Sequence, residues 1–507
     1  MKIMNARPSG TTRGGASDGA GPRLPGLPLS RARSSSFTIP HSSFVIRHSS
    51  FIIPHSSFPI HHSSFVIRHS SFIVASVLLW ICAACPATDW PQWRGPFFNG
   101  SSDETGLPLS WDGKTNVAWS TPLPGEGGST PVIAEGLVFL TSADRRNKNL
   151  YAFCLDQRDG KVLWSKTCGT AGRTVPYNKD AAPSPVTAKN RVWFLFGSGR
   201  FYCFDHKGQK IWQRNLERDF GPLTQVFLYA ASPLLYRGRL YLSVLRGNPD
   251  EDVPAKGANP KPSQTPDSFL LCLDPETGEP IWKQDRPSDA QGIECRDSYA
   301  TPVPVELGDG RAEILLIGGN YLTGHDWTTG RENWRLQYNT TRTYRQRVCP
   351  TPVVAGGMIV AAKPRYGDIF ALPIGQSGLV PGGRIAWEYA LNTPDVPSPL
   401  YYQGRLYMLN DKLGVLTSLN PQTGRPIWEG KLGNGALYHA SPVAADGKVF
   451  CMNLKGEITV VRAGGDSFRV LSRCVMGGQP AMSSIAISGK QLFIRTEERL
   501  YCIGAAG

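Results

Sequence analysis

The sequence predicts an all-β fold, an eight-bladed β-propeller of four-stranded antiparallel blades. Three observations predict it: a strand-turn-strand phrase that ends in Trp, a Ser/Thr-Pro phrase that precedes an apolar run, and a match between the two ends of the repeat region. The prolines of the second phrase stand 43 to 69 residues apart, a spacing found in propellers and other repeat proteins. The lack of helical periodicity favours a propeller over helical repeats.

The strand-turn-strand phrase is clearest at LYAFCLDQRDGKVLW, from Leu150 to Trp164. Alternating apolar residues suit a half-buried strand, an Asp or Asn can bond to the turn backbone, and a Gly can take a positive φ. One hairpin cannot bury the Trp that follows, so we interpret these indoles as docking groups between blades. The seven docking candidates are Trp119, Trp164, Trp212, Trp282, Trp334, Trp387 and Trp428.

The Ser/Thr-Pro phrase is predicted to begin the innermost strand of each repeat. A short turn such as Glu135-Gly136 or Asp446-Gly447 then leads to the second strand, so each repeat contains four strands. A degraded eighth copy lies at 483–485. The seven complete copies begin at Thr130, Ser184, Ser232, Thr301, Thr351, Ser398 and Ser441.

The two ends of the repeat region complete each other. The last repeat ends at LYCIG, Leu500 to Gly504, without a Trp strand, whereas Asp112 to Trp119 has the pattern of a turn and an outer strand alone. We therefore expect residues 117–121 to supply the fourth strand of the last blade, which would remove two exposed sheet edges. The predicted propeller spans 116–504, and 88–115 form a lead segment before it.

The first 87 residues are predicted to lie outside the fold. Residues 1–71 are of low complexity, with disorder expected at the start and a recurring SSF heptad that we interpret as a translated repetitive tract upstream of the real start. A membrane-surface segment is the alternative. Residues 72–87 carry a short apolar run typical of a signal peptide core, which predicts export to the periplasm or the medium. In a lipoprotein signal, Cys85 would be acylated and would anchor the protein to the membrane.

Composition argues against several classes of function. Of the net charge of +14, the first 87 residues hold +7, and the remainder has 46 basic against 39 acidic residues. Because no basic stripe with interleaved aromatic residues is present, we expect no nucleic-acid partner. Phosphate-binding loops, dinucleotide fingerprints, HExxH and G-x-S-x-G turns are also absent from the sequence.

The cysteines are interpreted mainly as core residues. Equivalent third-strand positions of different repeats hold four of them, so we expect buried thiols there. Cys295 and Cys349 precede consecutive inner strands and could pair in an oxidising compartment. The four core candidates are Cys154, Cys203, Cys272 and Cys502.

With these residues in view, the chain resembles the family of propellers built from pyrroloquinoline quinone (PQQ)-like repeats, within the quinoprotein alcohol dehydrogenase-like superfamily. The phrase LDPETGEPIW, the inner-strand S/T-P-V and the opening DWPQWRGPFFNG carry the resemblance over about 89–504. The opening is similar in particular to that of secreted PQQ-binding-like repeat proteins. The resemblance implies two branches: dehydrogenases of alcohols or sugars that use PQQ and Ca²⁺, and cofactor-free scaffolds for envelope proteins.

Several features favour the second branch. The sequence has no adjacent Cys pair and no Cys-x-x-Cys-His haem motif, and no calcium-binding set or catalytic Asp of the dehydrogenases maps onto it. We therefore expect a monomeric, non-catalytic binding or scaffolding module for an envelope protein or extracellular ligand, with no cofactor and no metal. The alternative is a PQQ- and calcium-dependent quinoprotein dehydrogenase, and carbohydrate binding without turnover stays open.

Binding residues are expected on the face formed by the loops that enter the inner strands and the loops between second and third strands. Three arginines there could form a positive patch for a carboxylate, a phosphate or an acidic partner loop, or could pair with Glu294 and Asp297. The candidates on this face are Glu126, Tyr177, Asn178, Tyr229, Arg296, Tyr299, Arg345, Arg347, Asp395 and His439.

Overall fold

The computed structural model describes residues 89–504, except 173–174, 176, 248–267, 291–293, 340–345, 434 and 477–479. The predictions for the low-complexity region, the signal peptide and Cys85 therefore concern residues outside the described part. Among the described residues, no helix has the length and apolar character needed to cross a bilayer.

The described residues form eight sheets arranged as propeller blades, each with four antiparallel strands, which confirms the predicted fold class. The first strand is β1 (Val117–Pro122). Blade 1 contains β2 (Val132–Ala134), β3 (Leu137–Asp144), β4 (Asn149–Asp156) and β5 (Val162–Thr170). Blade 2 contains β6 (Val186–Ala188), β7 (Arg191–Leu195), β8 (Arg200–Asp205) and β9 (Lys210–Asn215). The short helix α1 (Leu216–Phe220) follows blade 2. Blade 3 contains β10 (Leu234–Tyr236), β11 (Arg239–Val244), β12 (Phe269–Leu273) and β13 (Pro280–Asp285).

The second half repeats this order with one irregularity. Blade 4 contains β14 (Val303–Gly308), β15 (Arg311–Gly318), β16 (Tyr321–Asp326) and β17 (Glu332–Gln337). Blade 5 contains β18 (Val353–Ala355), β19 (Met358–Ala362), β20 (Ile369–Pro373) and β22 (Trp387–Tyr389), and between its last two strands lie β21 (Gly378–Val380) and a 3₁₀ turn (Gly382–Arg384). Blade 6 contains β23 (Leu400–Tyr402), β24 (Arg405–Asn410), β25 (Val415–Leu419) and β26 (Pro426–Lys431). Blade 7 contains β27 (Val443–Ala445), β28 (Lys448–Met452), β29 (Glu457–Arg462) and β30 (Val470–Val475). Blade 8 contains β31 (Ala486–Ser488), β32 (Gln491–Arg495) and β33 (Arg499–Ile503).

Strand β1 closes the ring by completing blade 8, as the sequence predicts. It pairs antiparallel with β33, with Ser120 opposite Tyr501 and Thr121 opposite Leu500. Without this pairing, both strands would expose free backbone groups at a sheet edge. We call the junction between blade 8 and blade 1 the seam.

The irregularity of blades 4 and 5 was not predicted. Strand β21 leaves blade 5 and pairs in parallel with β17, which gives blade 4 a fifth strand. Blade 5 lacks the hairpin turn of blades 1, 2, 3, 4 and 6, in which a Gly follows an Asp or Asn, and the residues between β20 and β22 form this excursion instead. In a blade, only the outer strand has an unpaired edge that faces away from the axis. The extra strand β21 pairs at that edge of β17.

The docking Trp residues join each blade to the next through the hairpin turn. Trp164 Nε1 donates to the His206 carbonyl at 2.8 Å, and a Cβ on Gly208 would overlap its indole. Gly208 has φ +82°, a conformation that glycine adopts without strain. The turn glycine is therefore needed twice: its positive φ forms the hairpin, and its lack of a Cβ leaves room for the neighbouring indole. The same packing on a turn glycine of the following blade is seen for Trp119, Trp212, Trp282 and Trp387.

Two of the seven Trp residues depart from this arrangement. Trp334 donates from Nε1 to Glu313 Oε2 within its own blade at 2.8 Å. Trp428 packs against Phe468 of blade 7, with ring centroids 5.6 Å apart. The blades that follow, blades 5 and 7, have between their third and fourth strands no turn in which a Gly follows an Asp or Asn and on which the indole could pack. Each ring therefore contacts a different group.

The Ser/Thr-Pro phrases form a chain of hydrogen bonds around the axis. In each link, the backbone N–H of one Ser or Thr donates to the side-chain hydroxyl oxygen of the equivalent residue in the next blade. Ser184 N, for example, lies 3.0 Å from Ser232 Oγ. Among the described residues, seven such links of 2.9 to 3.2 Å run in order through Thr130, Ser184, Ser232, Thr301, Thr351, Ser398, Ser441 and Ser484.

We expect the Ser232→Ala substitution to lower the free energy of unfolding by about 1–3 kcal/mol. Ser232 is buried, so removing its hydroxyl leaves the Ser184 N–H without an acceptor in a dry environment. Urea unfolding measures the loss, and Ser232→Thr, which keeps the hydroxyl, is the matched control. Equal stability of Ser232→Ala and the native protein would contradict a structural role for the link.

The lead segment crosses the inner strands around the axis. Its backbone pairs with Ile133 of blade 1, with both hydrogen bonds at 2.9 Å, and Gly100 O accepts from Ala444 N of blade 7 at 2.9 Å. Arg94, which is buried, donates to the carbonyls of Pro399 at 2.6 Å and Pro442 at 3.0 Å. These contacts satisfy backbone groups on the inner edges of the blades, which face no further strand.

The lead segment also fixes which end of the axis it occupies. Glu104 accepts from Gly489 N at 2.9 Å, and Leu107 N donates to Asp446 Oδ2 at 2.9 Å. Both partners lie in turns between first and second strands. We call that side the lower face, and the opposite side, with the loops that enter the inner strands, the upper face.

No disulfide joins any of the described cysteines. The suggested pairing of Cys295 with Cys349 is therefore wrong in this structure, and each residue packs as a thiol. Burial raises the pKa of the four predicted core thiols to about 12, so they stay protonated and unreactive at neutral pH. These four are Cys154, Cys203, Cys272 and Cys502.

We expect His325 to make stability depend on pH between about 4 and 6.5. It is fully buried on β16, with Nδ1 3.0 Å from Gly330 O and Nε2 3.1 Å from Thr323 Oγ1, and burial lowers its pKa to about 4. The unfolded chain binds this proton near pH 6.5, so stability falls by about 3 kcal/mol as the pH drops through that window.

Urea unfolding at pH 7 and pH 4.5 measures the effect, with His325→Gln as the comparison. The loss between the two pH values is expected to be smaller in His325→Gln than in the native protein. An equal loss in both proteins would assign the pH dependence to other groups.

Candidate functional site

The candidate residues of the upper face fall into two groups of charged side chains. The first lies at the seam, where Lys179 Nζ is 2.5 Å from Glu126 Oε2 and 3.2 Å from Glu497 Oε1, and Arg145 pairs with Glu126. These residues come from loops of blades 8, 1 and 2. We call Glu126, Arg145, Lys179 and Glu497 the seam cluster. Burial raises the pKa of Glu497, and its neighbour Glu126 adds to the shift.

The second group joins loops of blades 4 to 7. Arg347 forms a two-pronged pair with Asp395, with Nη1 to Oδ1 at 3.1 Å and Nη2 to Oδ2 at 3.0 Å. Glu294 lies 3.8 Å from Arg347 Nε and 2.9 Å from Arg365 Nη2. Such bidentate guanidinium pairs fix orientation as well as charge. We call Glu294, Arg347, Arg365, Asp395 and Asp411 the arginine-carboxylate cluster.

Asp411 and His439 complete this region. Asp411 accepts from the Asp395 backbone N at 2.8 Å and from Tyr366 Oη at 3.0 Å. His439 is half-buried beside these groups. Burial lowers its pKa, and the charge of Arg347 lowers it further, against the opposing charges of Asp411 and Asp395. The imidazole is therefore neutral at pH 7 and adds no positive charge to the cluster.

The suggested positive patch is only partly visible among the described residues. Arg347 pairs with carboxylates, as the local-pairing interpretation has it, although its main partner is Asp395. Arg296 donates from Nε to the Ala290 carbonyl at 2.9 Å. Arg345 lies outside the described residues, so its part in such a patch stays a prediction.

The remaining candidates differ in exposure. Tyr177 is 77% exposed, and Asn178 Nδ2 donates to the Phe227 carbonyl at 2.6 Å. Tyr229 is 1% exposed and packs in the core between blades 2 and 3, so its ring is not presented on the surface. Tyr299 Oη accepts from Phe227 N at 3.2 Å, and burial raises the pKa of the phenol.

Sequence reasoning missed Arg145, Arg365, Asp411 and Glu497. Each of them follows the second strand of its blade by a few residues, as the ends of β3, β19, β24 and β32 show. That shared position was a usable signal, because turns after second strands meet on the upper face. Lys179 was not among the predicted site residues either, because a single Lys in a loop belongs to no motif.

The residues of the upper face that the structure describes form no calcium site. Calcium needs several oxygen ligands, and among the described residues no group of three or more His, Cys, Asp or Glu side chains could hold a metal ion. The carboxylates that converge here are held by arginines, a lysine or backbone N–H groups.

A cavity of about 570 Å³ lies elsewhere, where the seam meets the lower face. It is lined by the lead segment and by turns of blades 8 and 1, among them Gln157, Arg158 and Lys490. Arg158 is held by Asp156, with Nη2 to Oδ2 at 2.9 Å.

A family model described as outer membrane protein assembly factor BamB matches residues 102–248, 264–395 and 380–506. The chain belongs to this family. Membership of the BamB-like PQQ-repeat family confirms the resemblance seen in the repeat phrases, and the three matched ranges together cover most of the propeller.

Individual relatives of this BamB-like chain come from both branches. The quinohemoprotein alcohol dehydrogenase ADH-IIG of Pseudomonas putida is 22% identical over 336 residues, which are 62% of this chain and 34% of that protein. The chain thus matches about a third of the length of that relative. The solved structure of this dehydrogenase has a TM-score of 0.56 at 12% identity, over 83% of this chain and 80% of that one. BamB from Moraxella catarrhalis has a TM-score of 0.50 at 14% identity, over 76% and 98%. At these identities the structures show a shared fold.

Proposed function

We propose that the protein is an exported, non-catalytic propeller that binds an envelope protein through its upper face. The observation that carries the proposal is a group of exposed leucines beside the arginine-carboxylate cluster. Leu391, Leu413 and Leu437 are 65%, 53% and 45% exposed. Apolar side chains next to charged groups that are already paired are typical of protein interfaces.

Hydrogen bonds hold the three leucine-bearing loops together. Asn410 Nδ2 donates to the Thr393 carbonyl at 2.8 Å, and Tyr438 N donates to the Asp411 carbonyl at 3.0 Å. The leucines therefore sit on a preorganised surface, and a partner would order few additional groups on binding. A small polar ligand would gain little from such side chains, which favours a protein partner.

Export and the scaffolding role rest on further support from the sequence and the family. The apolar run of residues 72–85 is typical of a signal peptide core. The family model carries the name of an outer-membrane assembly factor, and BamB is among the structural relatives. Acylation at Cys85 would place the propeller at a membrane surface, and N-terminal analysis of the exported protein tests it.

The Leu413→Ser/Leu437→Ser double variant is expected to lose binding to the envelope partner at least tenfold while it keeps its fold. Lys412, beside Leu413, offers an amine for cross-linking in whole cells. Mass spectrometry should find Lys412 cross-linked to one envelope protein in the native strain and not in the double variant. Leu163→Ser on the outer strand of blade 1, where Leu163 is 47% exposed, is the matched control and should leave the cross-link unchanged. Retention of the cross-link in the double variant would refute this surface.

A dehydrogenase is the second candidate because a quinohemoprotein alcohol dehydrogenase is among the relatives. Adding PQQ and Ca²⁺ to the purified protein, then following quinone absorbance and dye reduction over a panel of alcohols and sugars, separates the two functions. We expect no saturable binding and no turnover. Turnover would replace the scaffolding proposal.

A further inference from the structure

Arg495 is a buried cation at the seam whose hydrogen-bonding capacity is only partly used. It ends β32 and is 1% exposed. Its Nη1 donates to Ser129 Oγ at 2.6 Å and to the Thr141 carbonyl. Nε and Nη2 are buried and have no hydrogen-bond partner within the described part of the chain. A guanidinium in a dry site normally has its N–H groups satisfied.

Two other buried arginines have more of their guanidinium nitrogens hydrogen-bonded. Arg94 donates to three carbonyls, and Arg286 donates to the carbonyls of Gly318 and Tyr321 and to the Thr323 hydroxyl. In Arg286 all three guanidinium nitrogens have an acceptor. Arg495 has acceptors for one nitrogen, so it differs from both in what surrounds it.

The charge balance of the seam leaves Arg495 without a dedicated counter-charge. In the seam cluster, Glu126 is paired with Arg145 and Lys179, and Glu497 is paired with Lys179. These four charges cancel. Burial lowers the pKa of Arg495 to about 9, and Glu497 opposes the shift only as the smaller effect. A buried charge without a partner is costly, so an external anion would be stabilising here.

The same junction interrupts the chain of Ser/Thr hydrogen bonds. Thr130 donates its N–H to Ser184, but its own Oγ1 is buried and has no partner among the described residues. Thr130 follows Ser129, the residue that Arg495 contacts. An unused hydroxyl donor thus lies one residue along the chain from the Ser129 that Arg495 contacts.

We propose that the seam holds a small monovalent anion of chloride size, with Arg495 Nε and Nη2 as its charged donors and the Thr130 hydroxyl as a further donor. Gly127 is part of the site, because a Cβ at this position would overlap Arg495 Nη2. The anion neutralises the buried guanidinium and links blade 8 to blade 1 where the hydroxyl chain is open. This site is independent of the leucine surface proposed above.

Bromide, a heavier halide with an anomalous signal, tests the proposal on the native protein. Crystals soaked in sodium bromide should show an anomalous peak in contact with Arg495 Nε and Nη2. A water molecule at that position without anomalous signal would overturn the proposal.

Thermal unfolding supplies a second readout. The melting temperature should rise saturably with chloride by about 1–3 °C relative to gluconate at equal ionic strength, since gluconate is too large for the site. The Arg495→Met and Gly127→Ala variants should lose this chloride-specific rise. If a variant fails to fold, the bromide peak in the native protein still decides, and a chloride rise that persists in folded Arg495→Met would refute the site.

Discussion

The Trp119→Ala substitution is expected to lower the free energy of unfolding by about 3–5 kcal/mol, as large-to-small changes of buried aromatic residues do. Trp119 lies on β1 and is 9% exposed. Its Nε1 donates to the Gln157 carbonyl of blade 1 at 2.9 Å, and its ring packs on Gly160 of the same blade. On the other side, the ring centroids of Trp119 and Phe493 of blade 8 are 6.0 Å apart. The substitution therefore removes packing from both sides of the seam. Chemical denaturation monitored by circular dichroism measures the loss.

The Trp212→Ala variant is the matched control. Trp212 has the same exposure and the same arrangement between blades 2 and 3, with Nε1 2.8 Å from the Pro275 carbonyl. Both variants should lose similar stability, but only Trp119→Ala should speed proteolysis near β1, because β1 is the outer strand of blade 8 and Trp119 joins it to blade 1 beyond its pairing with β33. If Trp119→Ala left the unfolding midpoint unchanged, closure through this indole would be wrong.

The turn glycine gives an independent check of the same contact. Gly160 has φ +70°, and a Cβ there would overlap the Trp119 indole, so Gly160→Ala should destabilise through backbone strain and through displacement of the ring. Gly136 has φ +77°, and a Cβ there would meet no other atom. The loss of stability in Gly136→Ala therefore measures the backbone strain alone. A larger loss for Gly160→Ala than for Gly136→Ala is expected.

Repetition explains why so much of the fold could be predicted. Trp164 and Gly208 lie 44 residues apart, yet both belong to phrases that recur, and each copy confirmed the interpretation of the others. The Ser/Thr-Pro phrase likewise identified the inner strands, although its hydroxyl chain could not be foreseen. A sequence pattern shows which residues are equivalent, and it does not show that one copy accepts a hydrogen bond from the previous one.

The lead segment and the upper-face clusters were hard to predict because neither repeats. Arg94 binds the Pro399 carbonyl, 305 residues away, and backbone acceptors leave no mark in a sequence. Arg347 was a candidate, but its partners Asp395 and Glu294 come from different loops. Only the closed ring brings such loops together, so their pairing follows from the tertiary structure.

The Arg94→Met substitution is expected to cost on the order of 3–5 kcal/mol, because it leaves buried carbonyls without donors. Arg94 is 4% exposed and bridges blades 6 and 7 through Pro399 and Pro442, while it also donates to Asn99 O at 2.8 Å. Met fills most of the side-chain volume, so the loss reports mainly the hydrogen bonds. Removing a desolvated cation offsets part of it, since burial lowers the pKa of Arg94 to about 9. Urea unfolding measures the change.

Limited proteolysis distinguishes a local from a global effect of Arg94→Met. Release of residues 89–111 before the blades are cut would show that Arg94 holds the lead segment on the inner strands. The exposed Arg384, in the 3₁₀ turn of blade 5, provides a control in which Arg384→Met should change stability by about 0.5 kcal/mol or less. Equal protection of the lead segment in Arg94→Met and the native protein would mean that its backbone pairing with Ile133 and Ala444 suffices. The inner edges of the blades would then be covered by main-chain hydrogen bonds alone.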